Sequence, residues 1–201
     1  MMNKPFSQAC DNNKQAILTI LTEVFSQTKQ VLEIGSGTGQ HAVFFGQHLP
    51  HLTWQTSDLF SNHSGINLWL DESVIDNVQR PVVIDLNNPW PSLNHNLRID
   101  GLYTANTLHI ISWPLVIKFF EGLRDNLVNK AKVCIYGPFN YHGQFTSASN
   151  AYFDTCLKER DKDSGIRDIE AVLLLAHSAG LALLDDHVMP ANNRLLVFTK
   201  I

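Results

Sequence analysis

Cysteine is scarce in this chain of 201 residues: Cys10, Cys134 and Cys156 are the only three. They are too few and too far apart for a disulfide framework or a zinc site, and they predict reduced thiols in a reducing compartment. Long apolar runs are missing too. None approaches the roughly 18 residues a membrane span needs. The opening stretch "MMNKPFSQACDNNK" lacks the apolar core of a signal peptide. Basic clusters are also absent: the 15 Lys and Arg are scattered among 19 acidic residues, for a net charge of −4. That balance weighs against a nucleic-acid surface. There are no internal repeats and no low-complexity tracts. These absences predict a cytoplasmic protein with no membrane or nucleic-acid partner, and they leave the oligomeric state open.

What is present reads as an ordinary globular chain, 44% hydrophobic and 17% charged. That composition supports a sizeable core in one domain over residues 1–201. Residues 11–28 place Ile17, Leu18, Leu21, Val24 and Phe25 on one helical face, with Asp11 or Asn12 as the expected N-cap. Residues 30–34 read as a buried strand and 38–49 as a helix followed by Pro50. Further strands are expected at 52–58, 80–86, 99–111 and 131–139, with helices at 65–78, 113–128 and 167–180, the last ended by Gly180. The stretch 140–168 is longer than most connections and mixes aromatic with polar residues, as a lid or substrate-side insertion would. Strands alternating with helices imply a mostly parallel sheet covered on both faces. The final two strands, 181–190 and 193–201, have too little chain between them for a parallel crossover. They should therefore be antiparallel.

The stretch "VLEIGSGTGQHAVFF", residues 31–45, carries the chemistry. In open α/β sheets ligands bind beyond the carboxyl ends of the strands, so a glycine loop after the first strand is well placed. A phosphate loop would need Lys and Ser or Thr at its end, but Gln40 and His41 follow here. A dinucleotide fingerprint would need its third glycine at position 40, and Gly39 falls one residue early. Glu33 would also repel a pyrophosphate in a poorly solvated crevice. A cationic ligand reverses that sign. S-adenosyl-L-methionine carries an ammonium and a sulfonium, which a carboxylate favours, and Gly35, Gly37 and Gly39 would let the backbone approach it closely.

"VLEIGSGTG" thus resembles the first motif of class I methyltransferases, E/D-x-G-x-G-x-G. The resemblance implies a Rossmann-like seven-stranded sheet in the order 3-2-1-4-5-7-6, with one strand antiparallel to the rest. It implies cofactor contacts from Glu33, Gly35, Ser36, Gly37, Gly39 and His41. His41 reads equally as a packing residue. Asp58, ending the second strand, would accept hydrogen bonds from both ribose hydroxyls. Asp85, with Leu86 beside it, would lie near the adenine amino group, and Asn106 would lie near the transferred methyl. A closer resemblance rests on "ACDNNKQAIL", "SGTGQHA", "LPHLTWQTSD", "ANTLHIISW", "YGPF", "GIRD" and "MPANN…LVF". These blocks look like the DUF938 or UPF0585 group of small S-adenosylmethionine-dependent methyltransferases. Asp11 stands where that group more often has Arg or Glu.

Methyl transfer from a sulfonium is an in-line displacement, so the protein mainly aligns the nucleophile and excludes water. A base is needed only where the acceptor must lose its proton early. His109 and Tyr136 are the candidate proton acceptors, each with a purely structural alternative. Asn13, Lys14 and Arg167 are possible cofactor or substrate contacts, and Asp168 either contacts substrate or caps a helix. The expected function is methyl transfer to a small-molecule acceptor. The alternatives are a cofactor-binding scaffold that acts through a partner without catalysis, and a nicotinamide-dependent oxidoreductase. The loop argues against the latter, as does the lack of a Tyr-x-x-x-Lys pair.

Overall fold

The computed structural model describes residues 4–91 and 98–201. The chain packs as two compact units, Met1–Thr104 and Ala105–Ile201.

The first unit opens with helix α1 (Gln8–Val24) and strand β1 (Gln30–Ile34). Helix α2 (Gln40–His48), β2 (Thr53–Asp58), α3 (His63–Asp71), β3 (Val78–Val83) and β4 (Ile99–Ala105) follow. Strand β1 pairs in parallel with both β2 and β4, and β2 in parallel with β3. Val31, Leu32 and Ile34 are all buried, as expected of a central parallel strand with both faces covered.

The second unit carries α4 (Trp113–Asn126), β5 (Leu127–Gly137), the short β6 (Phe139–Asn140) and α5 (Ala148–Arg160). It ends with β7 (Arg167–Asp168), α6 (Ile169–Ser178), β8 (Leu181–Met189) and β9 (Asn193–Lys200). The seven-stranded sheet has the order β3-β2-β1-β4-β5-β9-β8. Counting only its seven strands, this is 3-2-1-4-5-7-6. Strand β9 is antiparallel to both β5 and β8, so the last strand is the reversed one. Gly137 at the carboxyl end of β5 stands opposite Arg194 at the start of β9. Among the described residues, no helix is long and apolar enough to cross a membrane.

Three local expectations are corrected. Helix α1 starts earlier, with Ser7 as N-cap: its hydroxyl accepts from the Cys10 amide, while Asp11 lies in the first turn and pairs with Lys14. Residues 74–78 are not helical. The Asn77 side-chain amide donates to the Gly46, Leu49 and Leu52 carbonyls, fastening the end of α2, and the Asn77 carbonyl accepts from Trp54. Residues 140–168 contain helix α5, capped by Ser147. Its buried stripe is Asn150, Asp154 and Leu157, two polar residues of three, so apolar periodicity could not reveal it.

Candidate functional site

Within the first unit, the loop after β1 is built as the glycines require. Gly35, Gly37 and Gly39 have φ of 73°, 56° and 88°, all in the left-handed region. The loop is pinned to the end of β2: the Gly35 and Ser36 amides both donate to the Ser57 carbonyl. A Cβ on Gly39 would lie 3.0 Å from the Ile66 Cα, so this glycine lets α2 start tight against α3. A Cβ on Gly37 would meet nothing within 4 Å, so the loop is open on that side. Gly39→Ala should lower stability by about 1–2 kcal/mol from the left-handed backbone alone. For a chain of this size that is a fall of roughly 2–8 °C in melting temperature. An unchanged melting curve would contradict the loop geometry.

Glu33 sits beneath this loop and is only 2% exposed. Its carboxylate accepts from the Ser36 hydroxyl at 2.8 Å and from the Trp54 indole N–H at 3.1 Å. Trp54 packs among Phe25, Phe45 and Tyr103. Burial in this aromatic surrounding pushes the Glu33 carboxyl up to about 7, against the pull of the Trp54 and Ser36 bonds, with Asp58 adding a smaller push. The side chain points into the core from a β1 flanked on both sides.

Asp58 does end β2, and three protein donors hold its carboxylate. Oδ2 accepts from the Gly37 amide at 2.7 Å, and Oδ1 from the Leu59 amide and the Asn62 side chain at 2.7 and 2.8 Å. Asp58 therefore braces the loop, with acceptor capacity for about one more donor. Asp85 lies two residues beyond β3 and turns back on its own chain, accepting from Asn87 and Asn88. The Asn87 backbone bond is the main cause that lowers its pKa below the usual carboxylate value. Leu86 beside it is buried.

His41 is a locked structural histidine. Nε2 faces two oxygens, Asn13 Oδ1 at 2.8 Å and the Cys10 carbonyl at 3.3 Å. Nε2 therefore carries the proton, and Nδ1 accepts from the Tyr103 hydroxyl at 3.1 Å. Burial holds the imidazole neutral, with its pKa down to about 4. This ring ties α1 to the loop helix, which accounts for Asn13. Lys14 pairs with Asp11. Sequence reasoning missed Gln40. Its side-chain amide accepts from the Ser7 N–H at 2.5 Å and donates to the Ser7 carbonyl at 3.3 Å. No periodicity marks such a two-point clamp between distant segments.

Within the second unit, Asn106 follows β4 directly and holds φ at 56°, its amide donating to the Tyr136 carbonyl at 2.9 Å. A left-handed non-glycine residue just past a strand end is a sparsely populated state that clusters at functional sites. Tyr136 is buried near the end of β5. His109 is 4% exposed. Its ring meets Phe153 of α5 edge-on at 5.5 Å and lies against Gly137, where a Cβ would come within 3.4 Å of Nδ1. Among the described residues its ring nitrogens form no hydrogen bond. Burial first, and the Arg167 charge second, bring His109 down to about 4, so it is a neutral base at pH 7. Arg167 does not face an open site: its guanidinium donates to the Leu108, Ile111 and Asp163 carbonyls. Asp168 occupies the N-cap of α6 without a side-chain cap bond.

The charge around the loop of the first unit disfavours a pyrophosphate. Two carboxylates serve the loop, and no Lys or Arg occurs from residue 30 to residue 79. Among the described residues no cluster of His, Cys, Asp or Glu could hold a metal ion.

Comparison with known proteins agrees with this architecture. A family described as "Protein of unknown function (DUF938)" matches residues 4–200. Three solved structures share the fold. An O-methyltransferase family protein from Burkholderia thailandensis aligns with a TM-score of 0.76 at 15% identity, over 93% of this chain and 56% of its own. The S-adenosylmethionine-dependent methyltransferase SibL, in its apo form, gives 0.78 at 16%, over 96% and 55%. An O-methyltransferase family 2 protein from Planctomyces limnophilus DSM 3776, in complex with apigenin, gives 0.78 at 14%, over 94% and 57%. The chain spans a little over half the length of these proteins.

Proposed function

The chain belongs to the DUF938 family, and from the chemistry of its glycine loop we propose that it is an S-adenosyl-L-methionine-dependent methyltransferase acting on a small-molecule acceptor. The reading treats residues 1–201 as one methyltransferase domain. One observation carries it: a buried carboxylate, Glu33, lies under three left-handed glycines, and a second, Asp58, docks on the middle one. Negative charge at a glycine loop repels phosphate and favours a cation. The three fold neighbours, all methyltransferases by name, support the same reading, and the apigenin complex is consistent with a small acceptor.

The cofactor, when bound, supplies an electrophilic methyl group on sulfur. The residues proposed to hold it are Glu33, Gly35, Ser36, Gly37, Gly39, Asp58, Asp85, Leu86 and Asn106, with His41 fixing the loop helix behind them. Asp58 has spare acceptor capacity for a ribose hydroxyl. Asn106, strained just past β4, presents a polar side chain where its strand ends. His109 is the preferred proton acceptor over Tyr136. Its imidazole is neutral at physiological pH and its nitrogens are uncommitted, as a general base requires.

Asp58→Asn tests the cofactor half of this reading. It should weaken binding of S-adenosylhomocysteine by about 1–3 kcal/mol, the range for hydrogen bonds to charged groups. By titration calorimetry that is a loss of about 5- to 150-fold. Because Asp58 also braces Gly37 and Leu59, the measurement belongs well below the variant's melting temperature. Unchanged affinity would remove Asp58 from the site.

A further inference from the structure

Four successive carbonyls, from Leu108 to Ile111, are held by one short segment. Arg167 Nε donates to the Leu108 carbonyl at 3.0 Å, and the Gly165 amide donates to the His109 carbonyl at 2.9 Å. The Ser164 hydroxyl donates to the Ile110 carbonyl at 2.5 Å, and Arg167 Nη2 to the Ile111 carbonyl at 2.5 Å. Arg167 thus grips the turn on both sides of His109. The gripping segment is itself fixed. The buried carboxylate of Asp154 on α5 accepts from the Ile166 amide at 2.8 Å and pairs with Lys158 at 2.6 Å. Gly165, at φ 154°, passes so close that a Cβ would lie 3.0 Å from the Asp154 oxygen. The backbone of Arg167 pairs with Phe139 in the β6–β7 ladder.

Among the described residues the Arg167 guanidinium bonds three main-chain carbonyls and forms no direct ion pair, although the Asp154 and Asp163 charges favour it from a distance. A purely structural tie between two loops needs no cation, because an amide donor serves as well. Here the cation sits beside a histidine that packs between Gly137 and Phe153 with no hydrogen bond of its own to orient it. We propose that Arg167 is a positioning residue for His109, holding its turn so that the imidazole keeps one orientation against Gly137. The inference rests on the methyltransferase reading for its catalytic meaning, but the positioning itself is separately testable.

The charged groups around the turn are Arg167 on β7, Asp154 and its partner Lys158 on α5, and Asp163 in the connecting loop. Removing the Arg167 charge leaves Asp163 and the Lys158-paired Asp154, whose net negative field favours the imidazolium. The experiment is histidine-selective NMR on the full chain, labelled at the imidazole carbons, with the His109 resonance assigned by its loss in His109→Ala. In the wild type His109 should stay neutral down to about pH 4. In Arg167→Gln its midpoint should rise by up to about one pH unit, because burial still holds it down, and its signal should broaden or split, while His41 keeps its wild-type signal. Arg167→Lys, which keeps the charge and loses the fork, should retain the low midpoint and show only the broadening. An unchanged His109 midpoint and linewidth in folded Arg167→Gln would overturn the proposal. If that variant does not fold, Arg167→Lys decides by linewidth alone, and a wild-type signal there overturns it. Once an acceptor is found, Arg167→Gln should lower kcat with little change in KM. Wild-type turnover in His109→Ala, together with the expected NMR change in Arg167→Gln, would discard the catalytic role and leave the positioning intact.

Discussion

Glu33→Gln is expected to stabilise the ligand-free protein above pH 7 and to remove most of its affinity for S-adenosylmethionine. Burial raises the folded-state pKa of Glu33 from 4.5 to about 7. Between those values the folded chain keeps a proton that the unfolded chain releases. Stability therefore falls as pH rises from about 4.5 to about 7 and is level above it, by about 3 kcal/mol in all. Glutamine is nearly isosteric and its carbonyl can still accept from Ser36 and Trp54, the two bonds that orient the native side chain. It carries no charge, so the loss disappears. The variant's melting temperature at pH 8 should exceed the wild type's by roughly 6–12 °C, and at pH 4.5 the two should coincide. In the bound state the balance reverses, because a cation near the loop is what makes the ionised carboxylate favourable. Removing one partner of a buried charge interaction costs about 2–5 kcal/mol. Wild-type affinity should also rise as pH increases through about 7, and that dependence should vanish in Glu33→Gln. A variant less stable than wild type at pH 8, with unaltered affinity, would contradict the role given to this carboxylate.

The sheet was readable because its strands obey simple rules. Residues 30–34 carry Val31, Leu32 and Ile34 close together, and the short link "PANN" forbids a parallel crossover, so the antiparallel pairing of the last two strands followed from chain length, while the reversal of the last one came from the resemblance. Strand order came from the resemblance, since nothing in spacing orders parallel strands. Helix α5 was not legible, because its buried face carries Asn150 and Asp154, whose partners are the Asn192 carbonyl and the Ile166 amide far along the chain. Residues 74–78, Val-Ile-Asp-Asn-Val, are weak helix formers, and one side chain, Asn77, binds three carbonyls at the end of α2.

The site divides in the same way. Residue types at the loop were legible, since three alternating glycines after an acid leave few ligand classes. Their environment was not. Glu33 is buried, because the indole that receives it lies on the neighbouring strand, a partner no local pattern reveals. Asp58 looked free for a ligand, yet three protein donors already hold it. Arg167 looked like a substrate contact, and its guanidinium is bound to the backbone. Hydrogen-bond partners that lie far apart in sequence carry no periodic signal, and Gln40 with Ser7 is the clearest case.

Cofactor identity is the claim on which the others rest, and thermal denaturation with added ligand tests it most directly. A ligand present at about 100 times its dissociation constant, binding only the folded state, stabilises by about 2.7 kcal/mol. For a chain of this size each kcal/mol raises the melting temperature by roughly 2–4 °C. Saturating S-adenosylhomocysteine, which cannot react, should therefore raise it by roughly 5–11 °C, with native mass spectrometry first confirming that the purified protein carries no adenosyl ligand. NAD and ATP should give little or no shift, because their phosphates would lie against the Asp58 carboxylate at the loop, with Glu33 beneath it adding to the repulsion. A large shift with NAD and none with S-adenosylhomocysteine would contradict the account.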